Sequence, residues 1–500
     1  GMMSVEAAKA RPLAMAMSGP AAGVAAAAHT ARALGIGRAL AFDMGGTTTD
    51  VCLVADGVPE TAGQRKLGDY PVRLPMLAVE SIGAGGGSIA RAEAGAFKVG
   101  PRSAGAVPGP ACYGLGGTEP DVCLVADGVP ETAGQRKLGD YPVRLPMLAV
   151  ESIGAGGGSI ARAEAGAFKV GPRSAGAVPG PACYGLGGTE PTVTDANLVL
   201  GRLDPHRVYG RSIRLDPGRA HAALEALGRR FGLSVIAAAQ GVVDVADASM
   251  LRALRLVSVQ RGYDLREFAL IAYGGAGPLH AGALARQAGM SRVIVPAHSG
   301  AFSALGCLVS PVRYDAVQTH RAKLEGWDAK VVADRFRALE QQCLRPLAGE
   351  GHAARSVLVG RSLDLRYTGQ NYEIDVPYEE GDVAALRLAF ERRHRQLYGY
   401  ATGESVECVN LRVMARIEPD AALAPVAAVS GAGAPLASPR AFFPETGEVS
   451  TPRHDRGALA VGQAVAGPAV IEDEWSTTVV YPGQRCVADS LGNLVIETGR

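Results

Sequence analysis

Residues 41–50 read Ala-Phe-Asp-Met-Gly-Gly-Thr-Thr-Thr-Asp. The flanking runs Ala39-Leu40-Ala41-Phe42 and Val51-Cys52-Leu53-Val54 predict two strands joined by a glycine–threonine turn. Asp43 closes the first strand. Gly45 and Gly46 lack the Cβ that would keep an anion away from backbone N–H groups, and Thr47 and Thr48 add hydroxyl donors. Such a turn suits nucleotide phosphates: Asp43 would position a metal-bound water, and Thr47 would bind phosphate oxygens. A Gly-Gly pair alone is equally a tight hairpin turn with no ligand. The full string behind an apolar strand favours the phosphate loop.

A second glycine turn, Tyr273-Gly274-Gly275-Ala276-Gly277-Pro278, again follows an apolar run, Phe268 to Tyr273. It opens a helix over Leu279 to Ala288, after which Val293-Ile294-Val295 predicts another strand. Strand, glycine turn, helix and strand make the βαβ grammar of a parallel sheet. The turn brings N–H groups and a helix N-terminus to where a flat or anionic ligand can lie, although close packing alone would also use these glycines. Between the two turns, Asp216 and Pro217 cap a helix running to Arg230. Ile236 to Gln260 is a long helix with Val243, Ala246, Met250, Leu254 and Val257 on one stripe, and Ser234 before it.

From about Arg361 the pattern changes. Leu363 to Tyr367 and Tyr372 to Val376 alternate as half-buried strands around Gly369-Gln370-Asn371, and a helix follows over Val383 to Tyr398. The stretch 419–457 is rich in Ala, Pro, Ser and Gly and predicts a linker to a terminal β-rich module. Two domains are expected, 1–325 and 326–500.

Fifty basic and 49 acidic side chains leave a formal charge of +1, which gives no electrostatic reason to expect nucleic acid or an anionic membrane as partner. The eight cysteines fall into six distinct environments with no C-x-x-C spacing, so a reduced, cytoplasmic compartment is expected. Lys9 and Arg11 precede an Ala-rich stretch, but Pro12, Gly19, Pro20 and Gly23 break it, and Ser18-Gly19-Pro20 predicts a turn where a signal peptide would need continuity.

Residues Asp50 to Pro120 recur without change as Asp121 to Pro191, 71 residues later. Solenoid units are about 20–50 residues long and diverge between copies, so one unchanged copy is a duplication and not an architecture. The left edge of copy one and the right edge of copy two, which continues into Thr192-Val193-Thr194-Asp195, are the native-looking junctions.

The chain resembles the hydantoinase A/5-oxoprolinase family, whose members include N-methylhydantoinase and acetone-carboxylase subunits. The resemblance rests on SGPAAGV at 18–24, DMGGTTTDV at 43–51, SIGAGGGSIA at 81–90, GPRSAGAVPGPACYG at 171–185, TEPTVTDANLVLGRL at 189–203, YGGAGPLHA at 273–281 and VPAHSGAFSALG at 295–306. It implies an α/β, actin-like ATPase (ribonuclease H-like) lobe followed by a C-terminal β-rich α+β domain. In that frame Asp43 and Thr47 carry the phosphate chemistry and Asp43 the metal. Gly45, Gly46 and Thr48 hold phosphate, and Gly274, Gly275 and Gly277 form the adenosine loop. The family ordinarily begins with an earlier D-x-G-G-T-x-T-D loop; none precedes residue 43, so most of the first lobe is expected to be missing. ATP and Mg2+ are the implied cofactors, and a hydantoinase B-type subunit the implied partner. The expected activity is ATP-dependent opening of a cyclic amide such as a hydantoin or 5-oxoproline. The alternatives are an acetone-carboxylase-like subunit that activates a ketone, and a non-catalytic nucleotide-binding remnant. Ser152 to Ser159 (the second copy of Ser81 to Ser88), Cys183, His280 and His298 are weaker candidates, each with a structural alternative: a flexible loop, a buried thiol or a hydrogen-bonded histidine.

Overall fold

A computed structural model describes residues 18–45, 49–55 and 156–499, save stretches at 165–166, 177–178, 210–212, 259–262, 350–356, 371, 380–382 and 420–432. Before residue 18 only Met2, Ser4, Ala8 and Lys9 are described, and between 56 and 155 only the backbone of strand segments.

The main sheet is built around β1 (Arg38–Met44), whose residues from Ala39 onward are all buried. On one side β1 pairs antiparallel with β2 (Thr49–Ala55), and β2 pairs antiparallel with β3 (Val150–Ile153). On the other side β1 runs parallel to β4 (Ala269–Tyr273), which runs parallel to β5 (Arg292–Val295). Beyond β5 the sheet is extended by strands from the far end of the chain: β7 (Leu494–Glu497) pairs with β5, and β6 (Arg485–Ala488) with β7. The continuous apolar runs at 39–42 and 269–273 suit strands buried on both faces.

Helices follow the local signals. Asp216 Oδ1 accepts hydrogen bonds from Gly218 N and Arg219 N, starting Pro217–Arg229 as its composition predicts. The long helix α3 (Val235–Ser258) buries the expected stripe of Val243, Ala246, Met250, Leu254 and Val257, and Ser234 Oγ accepts from Ala237 N. The sequence expectation of a turn at Ser18-Gly19-Pro20 is corrected: α1 (Ser18–Ala33) is a helix from its first residue. Proline in a first turn costs no hydrogen bond, because those N–H groups have no intrahelical partner. Its small residues let it approach closely. A Cβ on Gly23 would lie 2.8 Å from the Tyr273 ring, and one on Gly306 would lie 1.7 Å from Ala22 O.

A second core belongs to a four-stranded antiparallel sheet, ordered Val312–Lys323, Val406–Ile417, Leu358–Tyr367, Ile374–Pro377, with helices Ala329–Gly349 and Val383–Tyr398 packed against it. The hairpin predicted around Gly369 is present, pairing Leu363 with Val376 and Leu365 with Ile374. The core built on β1 also takes in residues from the last part of the chain. Leu459, Val465, Ile471, Val480, Leu494 and Ile496 return to the core built on β1. The buried pair Arg453–Glu472, with Nη1 and Oε1 2.6 Å apart, anchors the returning segment; Arg453 Nη2 also donates to Gly201 O and Leu203 O.

The repeat leaves a plain mark on the sheet. Leu40, Ala41 and Phe42 register against Leu53, Cys52 and Val51 of copy one, and equally against Leu124, Cys123 and Val122 of copy two. Identical side-chain alternation specifies identical register, so both copies address one edge of β1. From Gly156 onward copy two is packed into the protein: Ile160 bridges to Thr192, and Phe168 stacks on Phe231 at 4.3 Å.

No helix among the described residues is long and apolar enough to cross a membrane.

Candidate active site at the β1–β2 turn

Asp43 sits at the end of β1, directly opposite Asp50 at the start of β2. Directly opposed antiparallel residues share a face of the sheet, with Cβ atoms about 4.5–5.5 Å apart. Both residues are buried, Asp50 completely. Burial pushes the Asp43 carboxyl from 3.8 up to about 8. Neither Asp50 carboxylate oxygen has a hydrogen-bond partner among the described residues. Two buried carboxylates opposite one another are costly unless a proton or a cation joins them.

The second glycine turn closes on this pair. Gly274 has φ +82°, and a Cβ there would fall 2.3 Å from Asp43 Oδ1 and 2.5 Å from Met44 O, so no other residue fits. Ala276 N donates to Met44 O (2.8 Å) and Gly274 N to Ser299 O (2.9 Å), tying the loop to the end of β1 and to the turn after β5. Helix α4 (Gly277–Ala288) starts there, with its N-terminus beside Met44: the Gly277 Cβ position lies 3.4 Å from Met44 N.

A third glycine loop completes the cluster. Gly157 N donates to Gly45 O (3.1 Å), while Gly157 O accepts from both Thr194 N and Thr194 Oγ1 at 2.7 Å. A Cβ on Gly157 would lie 2.7 Å from Thr194 Oγ1 and 3.9 Å from the Ala276 Cβ. Gly157 of copy two therefore lies between Gly45 at the end of β1, the start of α2 (Val193–Val199) and the Gly274 loop. Its counterpart in copy one, from Ile82 to Gly87, lies outside the described residues.

Of the residues expected from sequence, Asp43, Gly45, Gly274 and Gly277 converge here, and Gly275 faces away, with the Trp475 carbonyl oxygen 3.7 Å from its Cβ position. Gly46, Thr47 and Thr48 lie outside the described residues. Asp50 and Thr194 were not singled out by sequence reasoning. The period-two alternation that places Asp50 across from Asp43 was the available signal for the first; a hydroxyl one residue into a capped helix gave little for the second.

Of the weaker candidates, Cys183 and His280 are held in buried structural contacts. Cys183 is fully buried, and its thiol is held far above the usual range by burial and by Asp195. Asp195 itself clamps the turn, accepting from Ala182 N and Cys183 N and capping α2 together with Thr192. His280 is fully buried, with Nδ1 2.6 Å from Asp247 Oδ1 and Nε2 3.3 Å from Asn197 Nδ2, so it locks α4 to α3 and α2. His298 is exposed in a left-handed conformation, φ 55°, heading the turn that accepts from Gly274 N.

Comparison with known proteins matches the hydantoinase/oxoprolinase family model at residues 1–120 and again at 114–316, two segments that meet where the copies join. The hydantoinase/oxoprolinase C-terminal domain matches at 320–494. An uncharacterised protein of Methanocaldococcus jannaschii is 31% identical over 502 residues, covering 99% of this chain and 64% of its own length. The caprolactamase alpha subunit of Pseudomonas jessenii is 37% identical over 75% of this chain and 56% of its own length. The crystal structure of the ATP-dependent caprolactamase from Pseudomonas jessenii superposes with TM-score 0.69 at 30% identity, over 97% of this chain and 62% of that one. The chain thus spans less than two thirds of the length of these relatives. With family matches running through nearly all of its residues, it belongs to the hydantoinase/oxoprolinase family.

Proposed function

We propose that the cleft formed by Asp43, Asp50, Gly45, Gly157 and the Gly274–Gly277 loop binds Mg·ATP, and that the chain is the nucleotide-handling part of an enzyme that opens a cyclic amide. The observation that carries this reading is the buried pair Asp43–Asp50, in which the Asp50 carboxylate has no hydrogen-bond partner among the described residues, beneath a loop whose Gly274 admits no other residue. Two carboxylates fit Mg2+, which takes one or two protein carboxylates and fills the remaining octahedral positions with water and phosphate oxygens. Among the described residues no group of three His, Cys, Asp or Glu forms an all-protein metal cage, consistent with that mode. Strand order supports a ribonuclease H-like lobe: three antiparallel strands with β1 innermost, then β4 and β5 parallel to it.

Mg·ATP, when bound, supplies a phosphoryl group that turns an amide oxygen into a leaving group, which an unstrained amide lacks. The chain's own residues prepare the cleft for it. Asp43 holds a proton near neutrality and releases it as positive charge arrives. Asp50, with no competing donor among the described residues, offers its oxygens to the same charge. The N-terminus of α4 faces the end of β1, where its dipole favours negative phosphate oxygens. Caprolactam is itself a cyclic amide, and the caprolactamase relative is named as one subunit of an assembly. A hydantoinase B-type partner, and a hydantoin- or lactam-like substrate, are therefore part of the proposal. So is a cytoplasmic setting, in keeping with eight cysteines that show no C-x-x-C spacing.

Calorimetric titration with Mg·ATP, and with ATP in EDTA, tests the reading. Magnesium-dependent binding is expected, with negligible opening of hydantoin, 5-oxoproline or caprolactam by the chain alone. Absence of magnesium-dependent binding refutes the site, and robust turnover by the isolated chain refutes the need for a partner.

A further inference from the structure

The turn Asp473–Ser476 brings a tryptophan from the C-terminal segment to the edge of the proposed nucleotide cleft. Asp473 Oδ1 accepts from Trp475 N (2.9 Å) and Ser476 N (2.7 Å), and Oδ2 accepts from Ser476 Oγ (2.8 Å) and Arg456 Nη1 (3.2 Å). Ser476 Oγ in turn lies 2.8 Å from Ser299 Oγ, and Ser299 O accepts from Gly274 N. One hydrogen-bonded chain therefore runs from Asp473 to the Gly274 loop. Two glycines give this turn its room. A Cβ on Gly300 would fall 2.3 Å from the Trp475 Cβ, and the Trp475 carbonyl oxygen lies 3.7 Å from the Cβ position of Gly275. The backbone of residue 475 is thus pinned, yet the residue is 45% exposed. Trp327, the other tryptophan, instead packs partly buried among Tyr378 and His320.

A rigid turn that leaves an indole in solvent next to a ligand loop has its largest apolar surface uncovered until something flat covers it. We infer that Trp475 is the aromatic wall for the base of a nucleotide whose phosphates lie toward Asp43, so that the C-terminal segment supplies the base side of the cleft. This inference rests on the reading of the cleft as a nucleotide site. The Cβ position of Gly274 meets the Asp43 carboxylate, whereas that of Gly275 faces the backbone carbonyl oxygen of Trp475, so the two glycines look toward Asp43 and toward the turn at 473–476 respectively. The recognised group is a nucleobase π-face, to which an aromatic ring contributes by stacking.

The chain has two tryptophans, so Trp327→Phe leaves Trp475 as the sole indole reporter. Its emission should be quenched or shifted by Mg·ATP and by adenosine, and left unchanged by magnesium tripolyphosphate. In calorimetry, Trp475→Ala should weaken Mg·ATP binding roughly ten-fold, in line with the loss of one base–aromatic stack. The same variant should bind magnesium tripolyphosphate as the wild type does, and Trp475→Phe should recover most of the loss. Unchanged Mg·ATP affinity in Trp475→Ala, or a silent indole while Mg·ATP binds, overturns this inference and leaves the cleft reading standing. If the wild type binds neither Mg·ATP nor magnesium tripolyphosphate, both fall together. Equal weakening toward both ligands would make Trp475 a structural support and would also overturn the assignment.

Discussion

Replacing Asp43 by asparagine should stabilise the protein at alkaline pH while weakening its magnesium-dependent binding of ATP. The wild-type carboxyl titrates near 3.8 when unfolded and at about 8 when folded, raised by burial. Between those values the folded state keeps a proton that the unfolded state has lost. Stability must therefore fall as pH rises through the window, by about 1.4 kcal/mol per unit, and level off above about pH 8. The full span of about four units amounts to about 6 kcal/mol. Asparagine keeps the shape of the side chain and has no charge to bury, so its stability lacks this slope. Urea denaturation of both proteins from pH 5 to pH 9 reads the difference directly: the advantage of Asp43→Asn should grow with pH and then flatten. A second reading comes from calorimetry in buffers of different ionisation enthalpy. At pH 7 a group titrating at about 8 is about 90% protonated, so Mg·ATP binding should release about 0.9 proton in the wild type, and only about 0.1 at pH 9. The variant should lose that release and most of the magnesium dependence. Parallel pH–stability curves would show that Asp43 is not held protonated, and equal Mg·ATP affinity would remove it from the site.

Two further outcomes are expected. Gly274→Ala puts a Cβ 2.3 Å from Asp43 Oδ1 at φ +82°; the left-handed strain alone costs on the order of 1–3 kcal/mol, so thermal melting should drop and Mg·ATP binding should fall at least ten-fold, and wild-type affinity would show that the loop is not part of the cleft. Deleting residues 121–191 joins Pro120 to Thr192 and leaves one occupant for the contested edge of β1; this variant should melt higher and resist protease better than the full chain, whereas a deletion that unfolds would mean that both copies are integral to the core.

Much of the fold was legible because its signals are local. The Asp216 cap, the stripe from Val243 to Val257 and the limits of Val383–Tyr398 are each set by residues within a turn or two of one another. The same holds for the strand–turn–strand at 39–54 and the glycine turn at 274–277. The start of α1 was misread for a physical reason: Gly19 and Pro20 break helices in their interiors but not in their first turn, and only the packing of Gly23 against Tyr273 shows which applies.

By itself, the sequence determined the family pattern, the two glycine turns, the acidic residue ending β1 and the register that each repeat copy seeks, because composition, capping and period-two alternation act between near neighbours. Tertiary structure alone decided that Asp50 is buried opposite Asp43 without a hydrogen-bond partner among the described residues, and that β6 and β7 return to the sheet of β1. It also decided that Gly157 of copy two bonds to Gly45 at the end of β1 and that Trp475 meets Gly275 and Gly300. These are meetings of residues up to about two hundred positions apart, except for the Asp43–Asp50 pair, where what needed the fold was burial. Desolvation of a carboxylate depends on everything packed around it, and no local pattern encodes that.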